Sequence, residues 1–206
     1  MNHPSILRSP LVQQALAWVQ PVLTQQLPEQ LYFHSLSHTL EVLEAVEQIA
    51  RYEGVSQSQL ILLQLAALFH DTGYRSVYKG HEQVSRQIAR EYLTGLGCTE
   101  AVIQPVGECI KATTLPQQPV NTLQSILCDA DLVHLSRSSY PEKEQLLRRE
   151  WEYHLNKSYT DREWNEMNLS FLEQHQYFTV YGQQQLTPGK ALNVQRIKAR
   201  LSPSEG

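Results

Sequence analysis

Residues 60–71 read LILLQLAALFHD, and this stretch decides the fold. All but one of the residues before the closing His-Asp pair are apolar, so a helix formed from them is apolar on nearly every side. This is typical of a helix buried in the middle of a protein. Ser56 and Gln59, at the spacing of a capping box, mark where the helix begins. The segment ends in His70 and Asp71, and two ionisable side chains in such surroundings require a partner or a bound ligand.

Helical patterns continue on both sides of this segment. Residues 36–52 carry an apolar stripe at helical spacing, and Gly54 follows as a stop signal. The apolar run in residues 123–135 also fits a buried strand, but its helical neighbours favour a helix. The predicted helices span residues 11–27, 36–52, 56–71, 81–96, 99–112, 123–135, 141–155, 160–177 and 191–201. The sequence therefore predicts an all-α fold.

The length and composition fit one soluble globular domain. The chain has 206 residues, of which 41% are apolar and 18% charged. We expect a single domain over 1–206, with a core at about 30–135 and a helical C-terminal layer at about 141–206.

Charge and cysteine content narrow the possible partners and the compartment. A net charge of −4 favours neither a nucleic acid polymer nor a membrane surface as partner. The three cysteines form no CxxC pair, which argues against a disulfide framework. The chain lacks a signal-peptide pattern and any apolar run near the ~20 residues of a spanning helix. We therefore expect a cytoplasmic protein, and the sequence predicts no particular oligomeric state.

Four residues are candidates for a shared metal site. His38 lies early in one predicted helix, His70 and Asp71 end the buried helix, and Asp131 lies in a later apolar stretch. Imidazole and carboxylate ligands together suit divalent ions such as Mn, Fe, Co, Ni or Zn. A buried carboxylate without a partner costs several kcal/mol, so a shared metal is an economical explanation. The alternative is that His38 is a satisfied core residue and that the His-Asp pair arose by chance.

The order of these residues resembles the HD-domain metal-dependent phosphohydrolase superfamily. The matching elements are His38, then AALFHDTGY over residues 66–74, then His81-Glu82, then Asp131 within ILCDADL. The resemblance covers about residues 30–135. It implies a helical bundle that binds metal through His38, His70, Asp71 and Asp131.

The same resemblance guides two further choices. In this family the aspartate before the leucine is the ligand, which selects Asp131 and leaves Asp129 to support the site, cap a helix or lie on the surface. His81 matches the first extra histidine of members with two metals, but residues 111–114 read KATT where further histidines are expected. We therefore predict one divalent metal ion, with Mg added to the possible identities. His81 then binds substrate or acts in acid–base chemistry, unless it is a solvated residue at a helix start.

The resemblance implies hydrolysis of a phosphate monoester or diester of a small metabolite, and we expect a nucleotide. A bound metal polarises a phosphoryl oxygen and lowers the pKa of water. Asp71 is expected to hold or deprotonate that water, and His81 or Glu82 to protonate the leaving oxygen. Phosphate also needs positive charge or N–H and O–H donors. The predicted substrate contacts are Lys111, Thr113, Arg75 and Lys79.

Two alternatives to an enzyme remain open. The first is a nucleotide-sensing module of the same fold with little turnover. The second, which ranks below it, is a helical interaction protein without metal. The aromatic residues after residue 150 have helical spacing and are expected to form a packing layer, although they could instead cover the pocket. His175 is the residue of that region to examine first.

Overall fold

The computed structural model describes residues 9–202, and within that range it contains helices and no strand. The all-α prediction is therefore confirmed, including the helical assignment of the segment that also fitted a strand. The α-helices are α1 (Pro10–Gln25), α2 (Leu36–Tyr52), α3 (Gln57–Phe69), α4 (His81–Gly95), α5 (Glu100–Ala112), α6 (Thr122–Asp131), α7 (Tyr140–His154), α8 (Asp161–Gln174) and α9 (Thr187–Leu201). Short 3₁₀ turns cover Thr72–Arg75 and Val133–Ser136, and a π-helical turn covers Gly182–Leu186.

Helix α3 is the centre of the bundle. Its capping box is formed, with the Gln59 N–H donating to Ser56 Oγ and the Ser56 N–H donating to Gln59 Oε1. Every residue from 63 to 69 is buried, and α3 packs against α1, α2, α4, α5 and α6. Because the helix is surrounded in this way, the two residues that follow it, His70 and Asp71, are delivered into the protein interior.

Two neighbouring helices bring the other candidate ligands to the same place. Helix α2 packs against both α3 and α6. His38 lies in the first turn of α2, and Asp131 is the last residue of α6. The end of α3, the beginning of α2 and the end of α6 therefore meet at one point.

Asp129 of α6 links the C-terminal segment to this bundle through hydrogen bonds, and its side chain is fully buried. Its carboxylate accepts hydrogen bonds from the Phe178 N–H at 2.8 Å, the Thr179 N–H at 2.9 Å and the Thr179 hydroxyl at 2.6 Å. A second apolar cluster joins the segment directly after α6 and the start of α7 to α8 and α9. Its buried members are Leu132, Leu135, Tyr140, Leu172 and Ile197.

The helix ends differ most from the sequence-based expectation in three places, and α1 and α3 each end two residues earlier than expected. Helix α6 ends at Asp131 and is followed by a 3₁₀ turn. Helix α8 ends at Gln174, where His175 adopts an extended backbone; farther along, the N–H groups of Phe178 and Thr179 bond to Asp129. Helix α9 begins at Thr187, directly after the π-helical turn. Among residues 9–202, no helix combines the length and apolar character that crossing a membrane requires.

Candidate metal centre

Three of the predicted ligands form a compact buried cluster. His38 Nε2, His70 Nε2 and a carboxylate oxygen of Asp71 all lie within 4.8 Å of one another. The two imidazole nitrogens are 3.3 Å apart, and Asp71 Oδ2 lies 3.1 Å from His70 Nε2 and 3.5 Å from His38 Nε2. All three side chains are buried. Atoms at these separations can share one metal ion.

The structure brings Asp131 to the same cluster from α6. Its Oδ1 lies 3.2 Å from His38 Nε2 and 3.6 Å from His70 Nε2. Its Oδ2 accepts a hydrogen bond from Gln117 Nε2 at 3.4 Å. Gln117 comes from the loop before α6, and sequence reasoning missed it. The four residues predicted to hold metal are thus neighbours in space, although they are up to 93 residues apart in the chain.

The hydrogen bonds of the cluster fit a divalent cation. The Nδ1–H of His70 donates to the carbonyl oxygen of Ala67 at 2.8 Å, so the lone pair of a neutral imidazole is on Nε2, the atom that faces the cluster. Asp71 Oδ2 is buried and makes no hydrogen bond. A buried carboxylate oxygen without a donor is costly. A cation between these atoms would satisfy both the lone pair and the carboxylate.

The pKa shifts of the cluster reflect its opposite charges. Burial acts to lower the pKa of His70, but the carboxylates of Asp71 and Asp131 outweigh it and raise this pKa well above its usual value. Burial acts to raise the pKa of Asp71, and His70 more than offsets it, so that this pKa lies well below its usual range. A metal would replace the imidazole proton as the partner of the carboxylates, so metal binding should weaken in acid.

His81 lies beside the cluster at the start of α4. Its Nε2 is 3.4 Å from Asp71 Oδ1, the carboxylate oxygen that does not face His70. The ring of Tyr74 stacks on the imidazole with 3.7 Å between centroids. Gly73 permits this arrangement, because a Cβ at that position would overlap the carbonyl oxygen of His81. Glu82 is adjacent, with Oε2 3.7 Å from His81 Nδ1.

Sequence reasoning missed His34, a fourth histidine at the site beside His38, His70 and His81. Its Nδ1 is hydrogen-bonded to Glu150 of α7, and its Nε2 lies 3.2 Å from the hydroxyl of Tyr74. Glu150 is fully buried and also accepts the N–H groups of Phe33 and His34 and the hydroxyl of Tyr78. The available signal was the segment FHSLSH, which places two histidines four residues apart. Glu150 gives no comparable signal, since it is one of several charged residues in its helix.

A fifth histidine, His134, supports Asp131 from the 3₁₀ turn that follows α6. Its Nδ1–H donates to the carbonyl oxygen of Asp131 at 3.3 Å. Burial is the main cause that lowers the pKa of His134 to about 3. The imidazole is therefore neutral at physiological pH, and its ring packs against Phe33 with 4.9 Å between centroids.

A cavity of about 480 Å³ opens on the cluster. Of the residues predicted to act on substrate, it is lined by Asp71, His81, Glu82, Thr113 and Lys79. Helices α7 and α8 close its other side with five large apolar side chains. These are Leu147, Trp151, Trp164, Met167 and Phe171.

The structure does not bring two of the predicted substrate contacts to this cavity. Arg75 is exposed and donates to Gln26 Oε1, and Lys111 is exposed on the outer side of α5; neither lines the cavity. Both were proposed from proximity in sequence alone, which does not fix the direction of a side chain. His175 does not line the cavity either; it lies half-buried beside Lys190, and desolvation lowers its pKa to about 4. The aromatic residues of α7 and α8 cover the pocket as well as packing against each other.

One comparison with known proteins identifies the family. Comparison with curated proteins and with solved structures finds no match. The family model for the HD domain matches residues 35–136, a range that contains His38, His70, Asp71 and Asp131. The match runs from the start of α2 to the 3₁₀ turn after α6, so it contains α2, α4, α5 and α6 but not α1 of the helices around α3. The chain therefore belongs to the HD-domain superfamily of metal-dependent phosphohydrolases.

Proposed function

We propose that this protein is a metal-dependent phosphohydrolase that cleaves a phosphate ester of a small metabolite, with nucleotides as the first class to test. The observation that carries the proposal is the buried cluster of His38, His70 and Asp71 at the floor of a cavity large enough for a metabolite. The unsatisfied Asp71 Oδ2 supports a cation at that floor. Membership of a superfamily of hydrolases supports the reaction class.

We assign one divalent ion to His38, His70, Asp71 and Asp131. Its identity among Mn, Fe, Co, Ni, Zn and Mg is open, since ligands of this type accept several ions. When bound, the ion supplies a Lewis acid for a phosphoryl oxygen and lowers the pKa of a bound water. Gln117 and His134 hold Asp131 in place from two sides, through its Oδ2 and its backbone carbonyl.

We assign proton transfer to side chains in and next to the cluster. Asp71 Oδ1 points to His81, so the pair can hold the attacking water and receive its proton. His34 is a further proton donor that the structure adds to His81 and Glu82. Burial acts to lower the pKa of His34, but the Glu150 carboxylate outweighs it and raises this pKa above its usual value. A histidine with a raised pKa holds its proton near neutral pH and can give it to a leaving oxygen.

The form of the site supports a small-molecule partner. The cavity is enclosed by side chains from the bundle and from α7 and α8, and the net charge of the chain is −4. A nucleic acid polymer requires an open, positively charged surface. Lys79 is the cation that the cavity offers to the phosphate.

The proposal is tested by phosphate release. The purified protein is incubated with each candidate ion in turn and assayed against a panel of nucleotides, sugar phosphates and aryl phosphates. We expect metal-dependent turnover that Asp71→Ala lowers at least about 100-fold. The exposed Asp161→Ala serves as the matched control. Tight nucleotide binding without turnover under any metal would contradict the proposal and favour the sensing module.

A further inference from the structure

We infer that the substrate carries a single phosphate group on a bulky apolar or aromatic body, and that α7 and α8 hold this body. The inference rests on the proposed function and narrows its substrate class. A nucleoside monophosphate and an aryl or long alkyl phosphate both belong to this class. Nucleoside triphosphates and other polyphosphates do not.

The first support is the composition of the wall opposite the metal cluster. Leu147 and Trp151 are one turn apart on α7, and Trp164, Met167 and Phe171 follow the same spacing on α8. Phe33, Leu115 and Leu132 complete the apolar surface. Buried apolar contact of this kind binds a matching apolar surface without directional hydrogen bonds.

The second support is that two polar side chains of the lining, Asn168 and Thr113, already make hydrogen bonds within the protein; the buried indole N–H of Trp164, in contrast, has no hydrogen-bond partner. Asn168 Oδ1 accepts the Tyr140 hydroxyl at 2.9 Å, and Asn168 Nδ2 donates to the Trp164 carbonyl oxygen at 2.8 Å. The Thr113 hydroxyl donates to the carbonyl oxygen of Ile110 at 2.8 Å. These side chains line the cavity, yet their donors are engaged within the protein. This part of the cavity is therefore suited to contact with a flat or apolar body.

The third support is the balance of charge. Among the cavity-lining residues of the described chain, Lys79 is the one lysine or arginine, and the same lining contains three carboxylates, Asp71, Glu82 and Asp131. Lys79 and a divalent ion together carry three positive charges, which only balance the three carboxylates. A single phosphate then adds about two negative charges, and each further phosphate group adds more. A triphosphate would bring further anionic groups against the apolar wall, where charge is costly to bury.

The inference is tested by binding, which does not require turnover. Affinities for the manganese-incubated protein are measured by calorimetry with methylphosphonate, 2-naphthylmethylphosphonate and inorganic triphosphate. We expect the naphthyl compound to bind at least about 100-fold more tightly than methylphosphonate, because it adds a large buried apolar surface. We expect triphosphate to bind more weakly than the naphthyl compound. Equal affinities of the two phosphonates, or tighter binding of triphosphate, would overturn the inference.

Two matched variants test whether the apolar body of the ligand binds against α8. Phe171 and Phe178 are exposed to a similar extent, 37% and 39%, but only Phe171 lines the cavity. We expect Phe171→Ala to weaken binding of the naphthyl compound about 5-fold or more and to leave methylphosphonate unchanged. We expect Phe178→Ala to change neither affinity. If both variants lose the same affinity for the naphthyl compound, or if neither loses any, the placement of the apolar body on α8 is contradicted.

Hydrolysis assays separate the inference from the proposed function. Ethyl phosphate, 2-(2-naphthyl)ethyl phosphate, a nucleoside monophosphate and the matching triphosphate are compared by kcat/KM. A preference for the naphthyl ester or for the monophosphate supports the inference. Which of the two is preferred shows whether the apolar body is an aryl group or a nucleoside. Preference for the triphosphate overturns the inference. If no ester is cleaved while the naphthylphosphonate binds selectively, the proposed function fails and the inferred ligand class stands.

Discussion

Glu150 of α7 holds the imidazole of His34 at the edge of the metal cluster, across 116 residues of sequence. The same carboxylate accepts two backbone N–H groups, from Phe33 and His34, and the hydroxyl of Tyr78. The C-terminal layer therefore contributes to the site in two ways, through this buried carboxylate and through the apolar wall of the cavity.

Replacing Glu150 by glutamine should lower the pKa of His34. The Glu150 carboxylate opposes burial and raises that pKa, so an uncharged side chain leaves burial opposed only by the smaller effects of Asp71 and Asp131. The measurement is an NMR titration of the His34 imidazole in the metal-free protein. Glutamine also presents an N–H₂ group to backbone N–H donors, so the free energy of unfolding should fall by about 1–3 kcal/mol. An unchanged His34 titration would contradict the assigned role of Glu150.

Replacing Asp129 by asparagine should destabilise the fold without removing the metal site. Asp129 accepts three hydrogen bonds from Phe178 and Thr179, and the amide nitrogen of an asparagine cannot accept them. We expect a loss of about 2–3 kcal/mol in the free energy of unfolding, measured in urea. The exposed Asp161→Asn is the control and should change stability little. A loss of metal from the folded Asp129→Asn protein would show that Asp129 belongs to the metal site.

Replacing Gly73 by alanine should displace α4 and with it His81. A Cβ at Gly73 would overlap the carbonyl oxygen of His81 and the backbone nitrogen of Ser85, neither of which can rotate away. We expect a loss of about 1–3 kcal/mol in stability and a lower kcat. Gly95 is the matched control, because a Cβ there meets no atom within 4 Å. Gly95→Ala should be neutral or stabilising by up to about 1 kcal/mol. Equal effects of the two variants would contradict the close approach at Gly73.

His134 should make the protein less stable in acid. Its pKa is lowered to about 3 in the folded state, whereas an unfolded histidine has a pKa near 6.5. The unfolded chain therefore binds the proton first. The stability contributed by neutral His134 is present above about pH 6.5 and is lost as the pH falls toward 3, at about 1.4 kcal/mol per pH unit.

The variant His134→Phe removes this titration and isolates its contribution. Unfolding in urea at pH 4, 5 and 6, with a chelator present, gives the slope of stability against pH for each protein. The slope of the wild type should exceed that of the variant by about 1.4 kcal/mol per pH unit. Loss of the hydrogen bond to the Asp131 carbonyl lowers the free energy of unfolding of the variant by the same amount at each pH, so it does not change the slope. Parallel curves would contradict a depressed pKa at His134.

The sequence was sufficient for the fold class because helices depend on local patterns, whereas the cluster was predicted from an order of residues that resembles the HD-domain superfamily. The apolar segment before His70 and Asp71 predicts a buried helix, and the capping box at Ser56 fixes its start. Choosing Asp131 over Asp129 needed the family resemblance, and the structure agrees with the spacing argument that the two side chains face different partners. Asp129 bonds to Phe178 and Thr179, and Asp131 faces the histidines.

The parts that sequence could not supply depend on tertiary contacts. Nothing near Glu150 in the chain indicates that it meets His34, and nothing near Arg75 indicates that it turns away to Gln26. Helix α8 ends three residues before the expected Tyr177, and the segment after it is held by Asp129, some fifty residues away in the chain. The sequence also does not predict which aromatic side chains line the cavity, since aromatic residues at helical spacing suit either packing or ligand contact.

The most direct test of the central claim is the metal content of the protein. The chain is purified without chelators or affinity metal, incubated with Mn, Fe, Co, Ni or Zn, desalted and measured by inductively coupled plasma mass spectrometry. We predict about one metal ion per chain in the wild type and in Asp161→Ala, and loss of the metal in Asp71→Ala and His70→Ala. The absence of metal from the wild type under every condition, or its full retention in Asp71→Ala, would contradict the account.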